Sequence, residues 1–524
     1  MVRTGRSALI PILLPPAVML MARIVFQGIL FPTELSGDEA QYWDWSRHLQ
    51  LSYYTKGPLI AWLIAASTAI FGNAELAVRI GSYLAHAIAG IAVGFLGLQL
   101  SGGSRRATWF TAIGFQCVLA FQIAGSLMTV DMLMIAGWSI ATSAAVATLQ
   151  RSRTGKSVLS SLTLCGLALG IAFLAKYTAL LGLLGIVFGL WPQRKQWLSA
   201  PGARAGLICA TLLFVTCLAP VLLWNFERSW PTIQHLVAHL ETSTSAEDLS
   251  SSPGLLMGTL FTYLLQIFTV AGPLLGLAMI LGIRQYLREP QLRQHGDLRI
   301  ALWSALPVLF FYLLVSLKTE TEGNWAVGAY SSLVPFAALW LDRHLSRWLG
   351  LWIWRLILLT SSLTLVLILT FPYSGSILQS GLQKLDIGVS IPVHRVVGHR
   401  QFADEVRRRA IEAIGPAGKS APIICHYYDL TALLAYSLPD QPTVYCASVA
   451  LGSRRSAYDD FEETRFPQPL HYDVDLILIG ADEQRWRKTL NFSQLVSLGS
   501  ATQRDRSRSI FHGKLRAPIT DEER

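Results

Sequence analysis

Two acids stand side by side, Asp38 and Glu39, in the string GDEAQYWDWSRHLQLSYYTKGPLIAWL, and Lys56 follows them. Tyr42, Tyr53 and Tyr54 are interleaved with these charges. A further carboxylate, Asp131, lies in MTVDMLMIAG, inside an otherwise apolar run. A carboxylate can take a proton from a hydroxyl that is about to attack. An ammonium group can stabilise charge that develops on a departing oxyanion. A base and a cation at one site therefore suit transfer of a group away from a phosphate. The leaving phosphate is already a stable anion, so no strong general acid is needed. An acceptor phosphate would arrive ionised, and Asp38 would then only orient it.

Each of these residues has a plainer reading. Asp38 can be a solvated loop acid or a helix cap, and Asp131 can cap its own helix. Glu39 can pair with Arg79 or another surface arginine. Lys56 can snorkel along the interface, and the three tyrosines can be interfacial anchors. His235 and His239, four apart in WPTIQHLVAHLE, have a spacing that admits a divalent metal, although a surface pair is the commoner outcome. Lys176 and Lys318 sit at span ends, where they can hold a phosphate or snorkel. Glu322 and Asn324, with Trp325 in TEGNWAVGAY, are polar or amphipathic residues at a span start, where they can bind sugar.

The elements that must position these groups are membrane helices. Only 15% of the 524 residues are charged, against roughly 25% in soluble proteins. Apolar runs of about 20 residues, the length that crosses a bilayer, recur along the chain. We read about eleven, near 8–31, 76–100, 107–125, 127–149, 157–174, 178–191, 206–224, 255–283, 300–317, 325–341 and 348–371. The first is too long for a signal peptide and holds Pro15 and Pro16, so it reads as an uncleaved span. With the N-terminus in the cytoplasm, the inside loops carry 16 Lys and Arg and the outside loops 5. That asymmetry follows the positive-inside rule. It also accounts for the net charge of +10 without nucleic acid. Loop 32–75, with Asp38 and Lys56, then faces outward. Its stretch IAWLIAAST is too short to span and belongs at the interface. Asp131 falls at the outer end of the fourth span, level with Asp38. An acid in an apolar context usually has a partner or a function.

Residues 1–372 form this membrane part, and 373–524 are of another kind. Periodicity predicts a helix over 399–413, strands at 422–426, 442–447 and 474–480, and a helix over 429–438, which together make a small extracytoplasmic α/β domain. Cys425 and Cys446 fall on two of these strands and can pair if the domain is outside. The chain from about Arg516 reads as a frayed end.

The strings GDEAQYW, YYTKGPLIAW, NAELAVRI and TVDMLMI, in this order, resemble bacterial glycosyltransferases of the dolichyl-phosphate-mannose–protein mannosyltransferase type, which include the lipid A aminoarabinose transferases. The likeness covers roughly residues 10–340. It implies an all-α polytopic GT-C bundle and an inverting enzyme in the bacterial inner membrane. Such an enzyme takes a sugar from a polyprenyl-phosphate carrier to lipid A, a protein hydroxyl or a surface polysaccharide at the outer face. By the resemblance, Asp38 and Asp131 are the catalytic carboxylates, Lys56 contacts the carrier phosphate, and Tyr42 belongs to the site. Glu39, Tyr53, Tyr54, Glu322 and Asn324 are further candidates for substrate binding. The sequence departs from the family at Thr55-Lys56-Gly57-Pro58, where aminoarabinose transferases have Glu-Lys-Pro-Pro, and at Gln41. The missing Glu bears on any divalent-metal cofactor copied from those enzymes. A lipid or polyol transporter is the competing class, but transporters hold their charges near the midplane, often within inverted repeats. Here the acids gather at one face and no repeat is evident.

Overall fold

The computed structural model describes residues 6–234, 253–346, 348–385, 388, 391–503 and 506–517. Its principal helices up to the first long gap are α1 (Arg6–Ala22), α2 (Gly37–Arg47), α3 (Leu59–Phe71), α4 (Glu75–Leu100), α5 (Arg105–Gln116), α6 (Leu119–Ser126), α7 (Val130–Arg153), α8 (Leu159–Ala175), α9 (Ala179–Leu190) and α10 (Ala203–Glu227). Beyond it come α11 (Pro253–Ala271), α12 (Pro273–Arg288), α13 (Gly296–Ser316), α14 (Gly328–His344), α15 (Trp348–Leu369), α16 (Tyr373–Lys384), α17 (His399–Ile414) and α18 (Tyr428–Ser437). Every apolar segment expected to span is helical.

About eleven spans are expected from the sequence. Six helices among the described residues are long and apolar enough to cross a membrane, and two bent pairs bring the number to eight. The run 255–283, expected as one span, is two helices bent by 100°. Gly272 breaks it with φ +89°, and Pro273 starts the new helix where its missing N–H costs nothing. α5 and α6 meet at 58°. α9 has 12 residues, about 18 Å of helix, short of a 30 Å hydrocarbon core. α7 is the central helix, 83% buried, whereas α10 and α15 are 11% buried. Their exposed Ile208, Leu212, Val215, Leu359, Leu363 and Val366 form faces that water would not tolerate and that lipid satisfies.

Polar links gather the helix ends at one end of this bundle. Arg153 Nη1 donates to Asp297 over 2.7 Å and Gln150 Nε2 donates to the same carboxylate over 2.8 Å, while Arg343 reaches Glu289 at 2.6 Å and Arg106 pairs with Asp342. These are residues of the segments read above as cytoplasmic loops. Asp38, Lys56, Asp131 and Lys176 share the opposite end. α3, an apolar helix of 13 residues, packs there against α2 and α4 and leaves Ile70 and Phe71 exposed.

The C-terminal domain lies on the Asp38 end. Its sheet has the order β2-β1-β3-β5-β4, with β1 (Ile423–Cys425), β2 (Val444–Cys446), β3 (Leu476–Ile479), β4 (Phe492–Gln503) and β5 (Arg506–Leu515). β2, β1 and β3 are parallel, and β5 and β4 add antiparallel. The three parallel strands are those predicted, fully apolar in β1 and β3 as a doubly covered sheet requires. The β4–β5 pair was not foreseen. Cys425 and Cys446 are register neighbours, and both thiols are free and buried.

Candidate functional site

α2 carries the first acids, and its start is fixed twice over. Ser36 and Glu39 form a reciprocal capping box. Glu39 then continues inward as a brace. Arg79 Nε and Nη2 donate to its two oxygens over 2.7 and 2.9 Å, and the Met128 N–H donates to it over 2.9 Å. The remaining guanidinium donors of Arg79 meet the carbonyls of Thr33 and Glu34, both at 2.9 Å. Burial alone would raise the Glu39 carboxyl, but the Arg79 charge and bonds bring it below its ordinary value. Of the two readings of Glu39, the structure displays the ion pair with Arg79. It occupies the whole carboxylate inside protein.

With Glu39 pinned, Asp38 points the other way, into an open cavity. Its side chain is exposed to that space yet closely walled. Partial burial raises its pKa, as do Asp429, Glu39 and Glu322, while Lys56 opposes them. Lys56 follows from the next loop. It too feels desolvation first, which lowers its pKa, then Lys176, with Asp131, Asp38 and Glu322 acting to raise it. Asp38, Asp131, Lys56, Lys176 and Glu322 are thus one electrostatic cluster. Tyr42, buried one turn along α2, lies in the fields of Asp38 and Asp131.

Asp131 sits in the first turn of α7, where the helix dipole favours an anion. Lys176 Nζ donates to its Oδ1 over 2.6 Å and Asn324 Nδ2 to its Oδ2 over 3.3 Å. Lys56 is brought to this group by Gly57, one of the departures from the family string. A Cβ at Gly57 would lie 2.0 Å from the carbonyl oxygen of Leu174, so the loop touches the end of α8 backbone to backbone. That contact sets Lys56 beside Lys176.

The tyrosines divide. Tyr53 is buried and stacks on Trp45 at 4.5 Å, its hydroxyl donating to the Trp45 carbonyl at 3.0 Å; it props the loop. Tyr54 is partly exposed beneath Arg455 of the C-terminal domain, 5.3 Å away. His235 and His239 lie outside the described residues. Among those described, no group of three His, Cys, Asp or Glu is placed to hold a metal.

Asp38 also opens onto a cavity of about 660 Å³. Its membrane-side wall is apolar, with Ile123, Leu127, Leu367, Phe371 and Leu378; its other wall is the C-terminal domain, with Arg395, His399, Tyr428, Asp429 and Arg508. Lys56 does not line it. Asp38 therefore stands between a cluster of paired lysines and acids on one side and an amphipathic chamber on the other. The residues from the C-terminal domain were not foreseen from sequence, because nothing in YYDLTALLAYS distinguishes Asp429 from an ordinary first-turn acid. Lys176 was weighed only as one of two span-end lysines.

Residues 55–224 match the family model described as dolichyl-phosphate-mannose-protein mannosyltransferase. The chain is 29% identical over 320 residues to the lipid A galacturonosyltransferase RgtD of Rhizobium johnstonii, covering 59% of this chain and 61% of that protein. It is 26% identical over 306 residues to an undecaprenyl phosphate-alpha-4-amino-4-deoxy-L-arabinose arabinosyl transferase of Erwinia tasmaniensis, covering 54% of this chain and 52% of that one. The matched region thus spans between about half and three-fifths of these curated relatives. Among solved structures, ArnT from Cupriavidus metallidurans bound to undecaprenyl phosphate aligns with a TM-score of 0.61 at 16% identity, over 96% of this chain and 98% of that one. The fold is the GT-C type expected from the sequence, a helical membrane bundle with a small C-terminal sheet.

Proposed function

We propose that this chain is an inverting glycosyltransferase that moves a sugar from a polyprenyl-phosphate carrier to a lipid-anchored acceptor at the outer face of the bacterial inner membrane. The observation that carries this reading is the position of Asp38 between the Lys56–Lys176–Asp131 cluster and the amphipathic cavity. The relative named as a lipid A galacturonosyltransferase supports lipid A as the acceptor class, and the one named for undecaprenyl phosphate-linked aminoarabinose supports a polyprenyl-phosphate donor. The apolar cavity wall suits a substrate that enters from the bilayer. In this orientation the N-terminus is cytoplasmic, and the basic ends linked through Asp297, Glu289 and Asp342 face inward.

Lys56 and Lys176 hold the carrier phosphate. Burial pushes the Lys56 ammonium down, and a bound phosphate, as a neighbouring anion, restores its charge. Asp131 fixes Lys176 by their ion pair, and Asn324 fixes Asp131. On the cavity side Asp38 takes the acceptor proton. The new bond forms opposite the phosphate, so the anomeric centre inverts. Membranes supplied with polyprenyl-phosphate galacturonate or aminoarabinose, radiolabelled in the sugar, should label lipid A. Asp38→Asn and Lys56→Ala should each remove at least about 100-fold of that rate at unchanged protein level. Full activity in either variant would refute the assignment.

A further inference from the structure

We infer that the membrane bundle holds a small inorganic anion of the halide class beside Arg23, where the π-helix Arg23–Leu30, α4 and α6 meet. The inference stands apart from the transfer reaction and concerns the bundle that carries it. Arg23 has 0% of its surface exposed. Its Nη2 donates to the Gln122 side-chain oxygen over 2.8 Å and to the Gln122 carbonyl over 3.3 Å. Its Nε and Nη1 meet no acceptor among the described residues, and no carboxylate among them pairs with it. An ionised group at membrane depth is costly and ordinarily has a counter-charge.

The neighbours of Arg23 offer more donors instead. A Cβ at Gly125 of α6 would lie 2.7 Å from His86 Cδ2 and 2.9 Å from Arg23 Nη2. Imidazole and guanidinium are therefore immediate neighbours, across a position where any larger residue would intrude. His86 is fully buried, and neither ring nitrogen has a partner among the described residues. Tyr83, one turn earlier on the same face of α4, is fully buried too, and its hydroxyl likewise has no partner among them. It lies in the field of Arg23. The group thus presents guanidinium N–H, phenol O–H and at least one imidazole N–H, and it lacks an acceptor. Water would meet the hydrogen bonds and leave the charge unbalanced; an anion meets both needs. Full burial admits an ion and excludes a lipid phosphate. A halide sheds its water readily and accepts from donors in any direction. The backbone at Arg23 is also unusual, since it opens eight residues of π-helix, a rare conformation that recurs at functional sites.

The place gives the ion a task. Ser82 Oγ of α4 donates to the Ala124 carbonyl of α6 over 2.8 Å. Arg79, one turn from Tyr83, holds Glu39, and Met128 beyond the end of α6 donates to the same carboxylate. The anion therefore ties the first span to α4 and α6 just below the brace that fixes α2.

The experiment melts purified full-length protein in detergent, prepared free of halide, in sodium bromide or sodium gluconate at equal ionic strength. Bromide should raise the midpoint saturably by about 3 °C, and gluconate should not. Arg23→Met should melt alike in both salts. Crystals soaked in bromide should show anomalous scattering between Arg23 and His86. Equal midpoints for wild type in the two salts, or the full bromide shift in Arg23→Met, would overturn the inference. If Arg23→Met does not fold, the wild-type bromide map decides alone, with a peak at Arg23 supporting the site and its absence there refuting it.

Discussion

Asp38 and Glu39 are adjacent carboxylates with opposite fates, and the difference is one of partners. Glu39 is sealed against Arg79, and Asp38 is left to the cavity. Removing one member of a buried pair leaves an uncompensated charge, which typically costs about 3–5 kcal/mol. Arg79→Met should therefore lower the thermal midpoint in detergent sharply, and Glu39→Met/Arg79→Met should regain much of the loss. If the single variant melts with wild type, the brace is not structural. The pair also sets a pH dependence. The folded Glu39 carboxyl lies below its ordinary value of 4.5, so its stabilisation is complete above that value and is lost as pH falls through the folded pKa. The Asp38–Lys56 pairing was legible because acids, aromatics and a lysine crowd one loop. The pairing of Glu39 with Arg79 was legible as one of its readings, but Arg79 belongs to the next span and only packing selects it among the available cations.

At the scale of elements, the loop between α2 and α3 is held to α8 by a glycine. The spacing of the string locates Lys56 but gives no hint of why Gly57 stands where relatives carry proline. The reason is the Leu174 carbonyl, far along the chain in a helix that the sequence shows only as an apolar run. Gly57→Ala must push the loop away. A displacement near 1 Å at a reacting centre can cost about 100-fold in rate, so transfer should fall by that order with an elevated donor KM. Wild-type kinetics in Gly57→Ala would mean the loop is not set by this contact. Hydropathy found the long apolar helices, though not α16, and it kept the break at Gly272–Pro273 within one long apolar run. The β4–β5 pair escaped for a related reason. Arg506–Ser509 is polar on both faces, so no period of two marks its start.

At the scale of the whole molecule, the C-terminal domain is latched to the first loop. Tyr458 donates to Asp44 over 2.8 Å in a buried contact, Asn73 donates to Gln441 over 2.8 Å, and Tyr436 donates to the Asn73 carbonyl over 2.8 Å. Arg400 pairs with Glu75 at the edge. Tyr458→Phe leaves Asp44 short of a donor and should cost about 1–3 kcal/mol, read as faster limited proteolysis between α16 and α17. Unchanged cleavage would place the latch elsewhere. The sequence separated this domain from the bundle but could not dock it, because the docking residues are polar, scattered and hundreds of positions apart. The docking divides the site between distant parts of the chain. Residues 37–176 supply Lys56, Lys176, Asp38 and Asp131, but the far wall of the chamber beside Asp38 comes from residues of the C-terminal domain between Arg395 and Arg508. Those four groups thus come from about the first third of the chain, whereas the chamber beside Asp38 is completed only by its last third.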